Sequence, residues 1–343
     1  SRTFSLTTIL LFFYFDGFLI LDNYSRNYFE SPVLISVFFF GIIFFANEII
    51  NLPFSIYFTF IIEEKYGFNK TNAKTFVFDK IKSWILTILF GGGILSFIIL
   101  HFELIGEQFW IVAWVFMTIL SILINGFYAQ LIVPIFNKQS KLEDGELRID
   151  IEKYAKETGF DLSNIFVIDG SKRSTKANAY FSGFGKQKRV TLYDTLLNKL
   201  NNNQIISVIA HEIGHYKKNH IIFNLIFSII QTGIMLYVLS LFISQPIFSE
   251  ALGVTDHSFH IGLITFSILY TPISELFSLI LNVFSRKFEY EADEYAKNTF
   301  DGKYLSEALK TLSKDSLSNL TPHPKYVWWH YSHPTLFERI TRL

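Results

Sequence analysis

Residues 209–215 read Ile209-Ala210-His211-Glu212-Ile213-Gly214-His215, an H-E-x-x-H stretch, and Asn203–Val208 before it have helical character. On a helix, positions i and i+4 stand one turn apart on the same face. His211 and His215 therefore offer two imidazoles to one tetrahedral Zn²⁺. Glu212 lies beside them, where it can reach a metal-bound water as a general base must. A catalytic zinc takes three protein ligands and keeps one position open, so a third ligand has to come from elsewhere in the chain.

Downstream runs Phe288-Glu289-Tyr290-Glu291-Ala292-Asp293-Glu294-Tyr295-Ala296. Glu289 completes a His-His-Glu set for one zinc per chain. Asp293, one turn later, can hydrogen-bond the free ring nitrogen of a ligand histidine and fix its tautomer. H-E-x-x-H has few fixed positions and also arises by chance on surface helices. The matching acidic helix is what favours the metal.

The chain has 343 residues, 50% of them hydrophobic, with 39 Phe, and its mean hydropathy is positive. That points to a polytopic membrane protein rather than a soluble domain. Net charge is zero, and nothing points to a nucleic-acid partner. Cysteine is absent, which excludes disulfides, thiolate metal sites and cysteine nucleophiles. The chain starts at Ser1-Arg2 without Met, as a processed chain or a piece of a longer one would. Its first apolar run carries Asp16 and no small-residue cleavage site, unlike a signal peptide.

Six apolar stretches approach the roughly 20 residues that cross a bilayer: Phe4–Leu21, Val33–Phe54, Trp84–Leu100, Phe109–Val133, Ile221–Ser244 and Phe259–Phe284. The expected organisation is four spans in 1–136, a first protease part with the H-E-x-x-H helix in 137–220, two further spans in 221–284, and a second part with the third ligand in 285–343. Two spans separate the polar parts, so both lie on one side. The connection Glu63–Lys82 falls on that side and holds Lys65, Lys70, Lys74, Lys80 and Lys82. The opposite loops, Asp22–Pro32, His101–Gln108 and Gln245–His257, hold one basic residue, Arg26. The positive-inside rule puts the catalytic face in the cytoplasm.

Asp16, Glu48 and Glu275 lie inside apolar stretches, with Asn47, Asn125 and Asn224 as polar companions. They line a wet cavity or hold helices together by hydrogen bonds. Gly91-Gly92-Gly93 reads as a site of close helix packing. In the polar segment, Glu143–Thr158 has helical charge patterning. Asn164–Ile168, Ala177–Phe181 and Arg189–Tyr193 read as strands, with Asp169-Gly170, Gly183 and Gly185 as turn signals. A small sheet beside the zinc helix suits substrate binding by strand addition, with Asn178, Ala179 and Tyr180 at the edge. An ordinary buried hairpin is the alternative. The zinc helix is expected to run straight through Tyr216–His220 into the fifth span. The third-ligand helix begins where the sixth ends, at Ser285-Arg286-Lys287. A site built on extensions of membrane helices favours a membrane-associated substrate.

The tail carries His323 and Trp328-Trp329-His330-Tyr331-Ser332-His333-Pro334. His330 or His333 could donate to the oxyanion formed when water attacks a carbonyl, although a lone histidine is more often structural. Arg339 reads as structural, holding an acid near the site or a surface salt bridge.

Taken together, the H-E-x-x-H stretch, Ser285–Asp293 and His330–Pro334 resemble the integral-membrane zinc CAAX prenyl proteases. So do Glu63–Lys70 and Gly170–Ser174 with Asn178–Tyr180, in the same order over almost the whole chain. Membrane quality-control proteases with H-E-x-x-H share fewer of these stretches. The resemblance implies a predominantly α fold: a polytopic membrane helix bundle enclosing a chamber, with a small α+β gluzincin-type zinc protease domain. It implies zinc on His211, His215 and Glu289, Glu212 as base, Asp293 supporting a ligand, Asn178 and Ala179 on the substrate strand, and His333 near the scissile carbonyl. The implied reaction removes the last three residues of a prenylated CAAX protein, in the endoplasmic reticulum or inner nuclear membrane of a eukaryote or the inner membrane of a bacterium. Two departures stand out. Six spans are counted against the family's seven, with the first unmatched, and the loop Leu200–Gln204 is short. The rival readings are a quality-control zinc protease without a prenyl requirement and a catalytically silent membrane scaffold.

Overall fold

A computed structural model of the chain describes residues 2–160, 164–183, 188–254 and 258–343. Gly185, one of the turn glycines, lies outside them. The first apolar stretch is not one straight helix. Helices α1 (Arg2–Tyr14) and α2 (Gly17–Tyr28) meet at a bend of 69°, where Asp16 has φ 51°. A left-handed residue interrupts the helical ladder, and Asp is among the few that tolerate it. Next come α3 (Pro32–Tyr57) and α4 (Ala73–Leu86). A wider, π-helical turn over Thr87–Gly91 leads on into α5 (Gly92–Ile105).

The chain reverses between α5 and α6 (Phe109–Leu131), at Gly106 with φ 60°. The Phe97 and Phe116 rings stack with centroids 4.0 Å apart, whereas along one straight helix these positions would lie roughly 28 Å apart. The close packing expected at the glycine triplet is not found. Among the described residues, nothing lies within 4 Å of the place a Cβ would take on Gly92 or Gly93. These glycines follow the π-helical turn instead. Glu48 settles on interhelical bonding, accepting from Lys80 Nζ at 3.0 Å and Trp84 Nε1 at 2.8 Å.

After the short α7 (Val133–Phe136) come β1 (Gln139–Lys141), α8 (Glu146–Glu157), β2 (Ile165–Ile168), β3 (Ala179–Ser182), β4 (Arg189–Tyr193) and α9 (Asp194–Leu197). The strands form one sheet in the order β1-β2-β4-β3, parallel between β2 and β4 and antiparallel elsewhere. Strand β1 escapes sequence reading because Gln-Ser-Lys has no apolar alternation. Helix α10 (Asn202–Lys217) opens with a capping box between Asn201 and Gln204. Ile205, Ile209 and Ile213, spaced by four, bury one face of α10 in a core with Ile151, Val190, Leu192 and Leu305. This fixes the rotation of the H-E-x-x-H helix about its axis.

Helix α10 does not run straight into the next apolar stretch. It stops at Lys217, Asn219 takes φ 60°, and α11 (His220–Phe242) starts afresh. After α12 (Pro246–Glu250), α13 (Phe259–Thr299) is a single helix of 41 residues that carries the sixth apolar stretch and then Glu289 and Asp293. Helices α14 (Gly302–Asp315), α15 (Pro324–His330) and α16 (Leu336–Arg342) complete the chain.

The chain divides into two compact units. One comprises Ser1–Tyr57, Phe78–Leu120 and Ser228–Glu275. It is helical, and its largest core gathers Ile99, Phe109, Leu239, Ile243 and Phe266. The other, Phe58–Val77, Ser121–Phe227 and Leu276–Leu343, contains the sheet and every residue of the site described next.

Candidate metal centre and peptide site

The site begins with a glycine. A Cβ placed on Gly214 would lie 3.0 Å from the Ala292 Cα and 3.1 Å from the Ala292 carbonyl oxygen. Helices α10 and α13 thus touch backbone to backbone inside the motif, which brings His211 and His215 against Glu289. The two Nε2 atoms are 3.1 Å apart. Glu289 places one oxygen 3.5 Å from His211 Nε2 and the other 3.4 Å from His215 Nε2. Donors around a tetrahedral zinc with bonds of about 2.0–2.1 Å are separated by roughly 3.4 Å. With one donor from each residue, all three lie within 4.8 Å of one another, close enough to share one metal ion, and nitrogen and carboxylate donors suit zinc.

Behind these three residues, Asp293 Oδ1 lies 2.9 Å from His211 Nδ1. Arg339 donates to both oxygens of Asp293, at 2.8 Å from Nε and 2.6 Å from Nη2, and its Nη1 lies 3.1 Å from Glu289 Oε2. Arg339 is buried. Of the two roles read for it, holding an acid near the site or a surface salt bridge, the fold shows the first, and it reaches both acids. Burial alone would raise the Glu289 carboxyl, but His215, His211, Arg339 and His333 outweigh it and hold it at about 2. Burial opposes ionisation of Asp293 too, and His211 and Arg339 overcome it. Burial pushes the Glu212 carboxyl up, with His211 and His215 pulling the other way.

His215 has a different support. Its Nδ1 lies 3.0 Å from Nδ1 of His220, whose Nε2 lies 2.9 Å from Glu291 Oε2. Sequence reading missed both partners. The available signal was a histidine opening an apolar helix, where an unpaired imidazole is costly. His333 Nε2 sits 3.3 Å from Glu289 Oε1, with its side chain 63% exposed, and Ser332 Oγ lies 3.0 Å from its Nδ1. His330 stands apart, its ring 4.5 Å from that of Tyr326. His323 caps α15.

A cavity of about 440 Å³ opens over these groups. Glu212, His211, His215, Glu289, Arg339 and His333 line it, with Ala177–Phe181 along one wall and Leu305, Leu309 and Leu312 of α14 along another. Among the described residues β3 pairs only with β4, so its other side is an edge. Tyr193 N–H donates to the Asn178 carbonyl. With the period of two in an antiparallel pair, Tyr180 also turns its main chain to β4, while Ala179 and Phe181 turn theirs outward. Of the three expected edge residues, Ala179 faces the edge with its main chain, its N–H held by Asn178 Oδ1 at 2.9 Å; Asn178 and Tyr180 line the cavity from the same strand.

Helices long and apolar enough to cross a membrane, joined to a His-His-Glu set with a neighbouring glutamate over a cleft, define an integral-membrane zinc metalloendopeptidase. Residues 1–138 match the family model described as CAAX prenyl protease N-terminal, five membrane helices, and residues 141–343 match peptidase family M48. The chain is 40% identical over 319 residues to CAAX prenyl protease 1 homolog of Oryza sativa subsp. japonica, covering 92% of this chain and 74% of that one. It is 38% identical over 348 residues to the homolog from Dictyostelium discoideum, covering 99% and 81%. The crystal structure of S. mikatae Ste24p superposes with a TM-score of 0.93 at 36% identity, over 98% of this chain and 83% of that one. The chain belongs to peptidase family M48, among the CAAX prenyl proteases.

Proposed function

We propose that this chain hydrolyses a peptide bond near the C-terminus of prenylated CAAX proteins or peptides, with His211, His215 and Glu289 holding zinc and Glu212 as general base. The observation that carries this reading is one cavity shared by the ligand set, Glu212, His333 and the edge of β3. The relatives, which carry the name CAAX prenyl protease, support the substrate class.

Zinc, when bound, supplies a Lewis acid that polarises the carbonyl and acidifies water. Glu212 takes a proton from the attacking water and returns it to the leaving amine, and burial, which raises its carboxyl, favours holding that proton in between. His333 donates to the developing oxyanion. Ala179 and Phe181 pair with the extended substrate by strand addition. Arg339 and Asp293 keep His211 and Glu289 in place. The protease domain comprises 137–220 and 285–343, with membrane spans in 1–136 and 221–284. Lysines along Glu63–Lys82 support a cytoplasmic catalytic face.

The test offers purified protein a farnesylated CAAX peptide and its unprenylated copy, with Glu212→Gln in parallel and zinc assayed throughout. Chelator-sensitive cleavage of the prenylated peptide alone, lost in Glu212→Gln at full zinc content, is the expected result. Equal cleavage of both peptides overturns the prenyl requirement and leaves a general membrane protease. Zinc lost together with activity in Glu212→Gln overturns the assignment of Glu212 as base.

A further inference from the structure

His211 has its carboxylate partner in Asp293, but no carboxylate reaches His215 Nδ1 directly among the described contacts. That nitrogen instead meets Nδ1 of His220 at 3.0 Å, and His220 Nε2 meets Glu291 Oε2 at 2.9 Å. The His220 ring is otherwise immobilised. It is 2% exposed, and it stacks on Phe288 with centroids 4.1 Å apart and planes 13° from parallel.

A continuous helix could not make this contact. Residues i and i+5 stand about 140° apart around the axis, so the rings of 215 and 220 would point to different sides. They meet because α10 ends at Lys217 and Asn219 takes a left-handed conformation, φ 60°, before α11 begins at His220. The break that separates the H-E-x-x-H helix from the following apolar helix folds the first side chain of α11 back onto the second imidazole.

One assignment of protons satisfies every atom. His215 turns Nε2 towards His211 and Glu289, so Nε2 is the metal-facing nitrogen and Nδ1 carries the hydrogen. Nδ1–H then donates to the bare Nδ1 of His220. The hydrogen of His220 sits on Nε2 and donates to the Glu291 carboxylate. The opposite tautomer of His220 would set two N–H groups against each other and two acceptors against each other.

We propose that His220 is the positioning residue of the second histidine ligand, oriented by Glu291, so that His215 is held through a His–Glu relay while His211 is held by a carboxylate directly. This rests on the reading of His211, His215 and Glu289 as the zinc ligands. Partners of this kind set metal affinity, and removing one typically weakens binding 10- to 100-fold.

The test uses the full chain in detergent. It measures zinc affinity by competition with a chromogenic chelator and records the visible absorption spectrum of the Co²⁺-substituted protein. His220→Ala is expected to weaken zinc binding about 10- to 100-fold and to alter the Co²⁺ bands. The amide oxygen of His220→Asn falls near the place of Nδ1 and still accepts from His215. That of His220→Gln reaches the place of Nε2 and does not. Recovery of zinc affinity and of the wild-type Co²⁺ spectrum in His220→Asn, but not in His220→Gln, supports the relay. Glu291→Gln should weaken zinc binding less than His220→Ala. Thermal unfolding of the zinc-free proteins provides a separate readout, since a merely structural His220 would lower that midpoint in all three His220 variants without changing the Co²⁺ spectrum. Zinc affinity and Co²⁺ spectrum unchanged in His220→Ala overturn the proposal. Wild-type affinity retained in His211→Ala and His215→Ala overturns the ligand assignment itself.

Discussion

Gly214 of α10 touches the main chain of Ala292 on α13: a Cβ at 214 would lie 3.0 Å from the Ala292 Cα. Backbone cannot swing aside as a flexible side chain can. In Gly214→Ala the two helices must separate by some tenths of an ångström, and the His-His-Glu triangle opens with them. The expected outcome is a loss of about 1–3 kcal/mol of stability from overpacking, despite the better helix propensity of Ala, together with weaker zinc binding. Thermal unfolding with and without zinc checks both. A variant more stable than wild type, with unchanged zinc affinity, would show that the helices have slack here.

The buried clamp of Arg339 on Asp293 and Glu289 predicts an asymmetry. Arg339→Ala leaves two carboxylates buried without their cation, a loss of about 3–5 kcal/mol. Arg339→Lys keeps the charge but lacks the planar fork that reaches both oxygens of Asp293, at 2.8 and 2.6 Å, and Glu289 as well. It should therefore recover less than half of the stability. Chemical denaturation of the zinc-free proteins reads the difference, and full recovery by Lys would reduce the clamp to simple charge neutralisation.

The contrast between these positions shows what the sequence could carry. Spacing along one helix was legible: His211 and His215 share a face, as do Glu289 and Asp293, because periodicity is a local property. The ligand set already implied that α10 meets α13, but the contact that seats one helix on the other was not legible. It depends on Gly214 fitting against Ala292, a contact between distant parts of the chain. Whether Arg339 holds an acid of the site or a surface partner stayed open for the same reason, since nothing near it in sequence reveals that α16 delivers it into the site. The break at Asn219 was hidden because Tyr216–His220 contains neither Pro nor Gly. Strand β1 was hidden because its pairing with β2, not its composition, makes it a strand.

Tyr154 on α8 hydrogen-bonds Thr299 at the end of α13, at 2.6 Å. Burial pushes its hydroxyl up to about 12 from 10.0. A group whose folded pKa is raised contributes stability that is fully present below the unfolded value and lost as pH climbs through the folded one. Stability should therefore fall between pH 10 and 12 by roughly 2–3 kcal/mol from this residue. Tyr154→Phe should be less stable than wild type at neutral pH, by about 1 kcal/mol for the lost bond, and should decline less steeply above pH 10. Unfolding midpoints across that range check it, and parallel curves would rule it out.

His333 stands at the mouth of the site, 63% exposed, with Nε2 3.3 Å from Glu289 Oε1. In the proposed role of oxyanion donor it would act only in the transition state. His333→Ala should lower kcat and kcat/KM together, by roughly 10²–10³-fold, with KM and zinc content little changed. A raised KM at constant kcat would make it a ground-state contact instead.

Strand addition makes a prediction about the substrate rather than the enzyme. Ala179 and Phe181 turn their main chains outward from β3, so an extended peptide must offer them its own main-chain groups at alternate residues. An ester in place of one substrate amide removes a single N–H while keeping length and side chains. At an aligned position this forfeits one hydrogen bond, about 1 kcal/mol, and should raise KM roughly fivefold. Moved by one residue along the peptide, the same ester faces away from β3 and should leave KM unchanged. An effect that alternates with position, measured on a short series of ester-substituted peptides, is the signature of a substrate bound as a fifth strand. A uniform effect at every position would instead mean that the peptide is held by its side chains and the cavity walls.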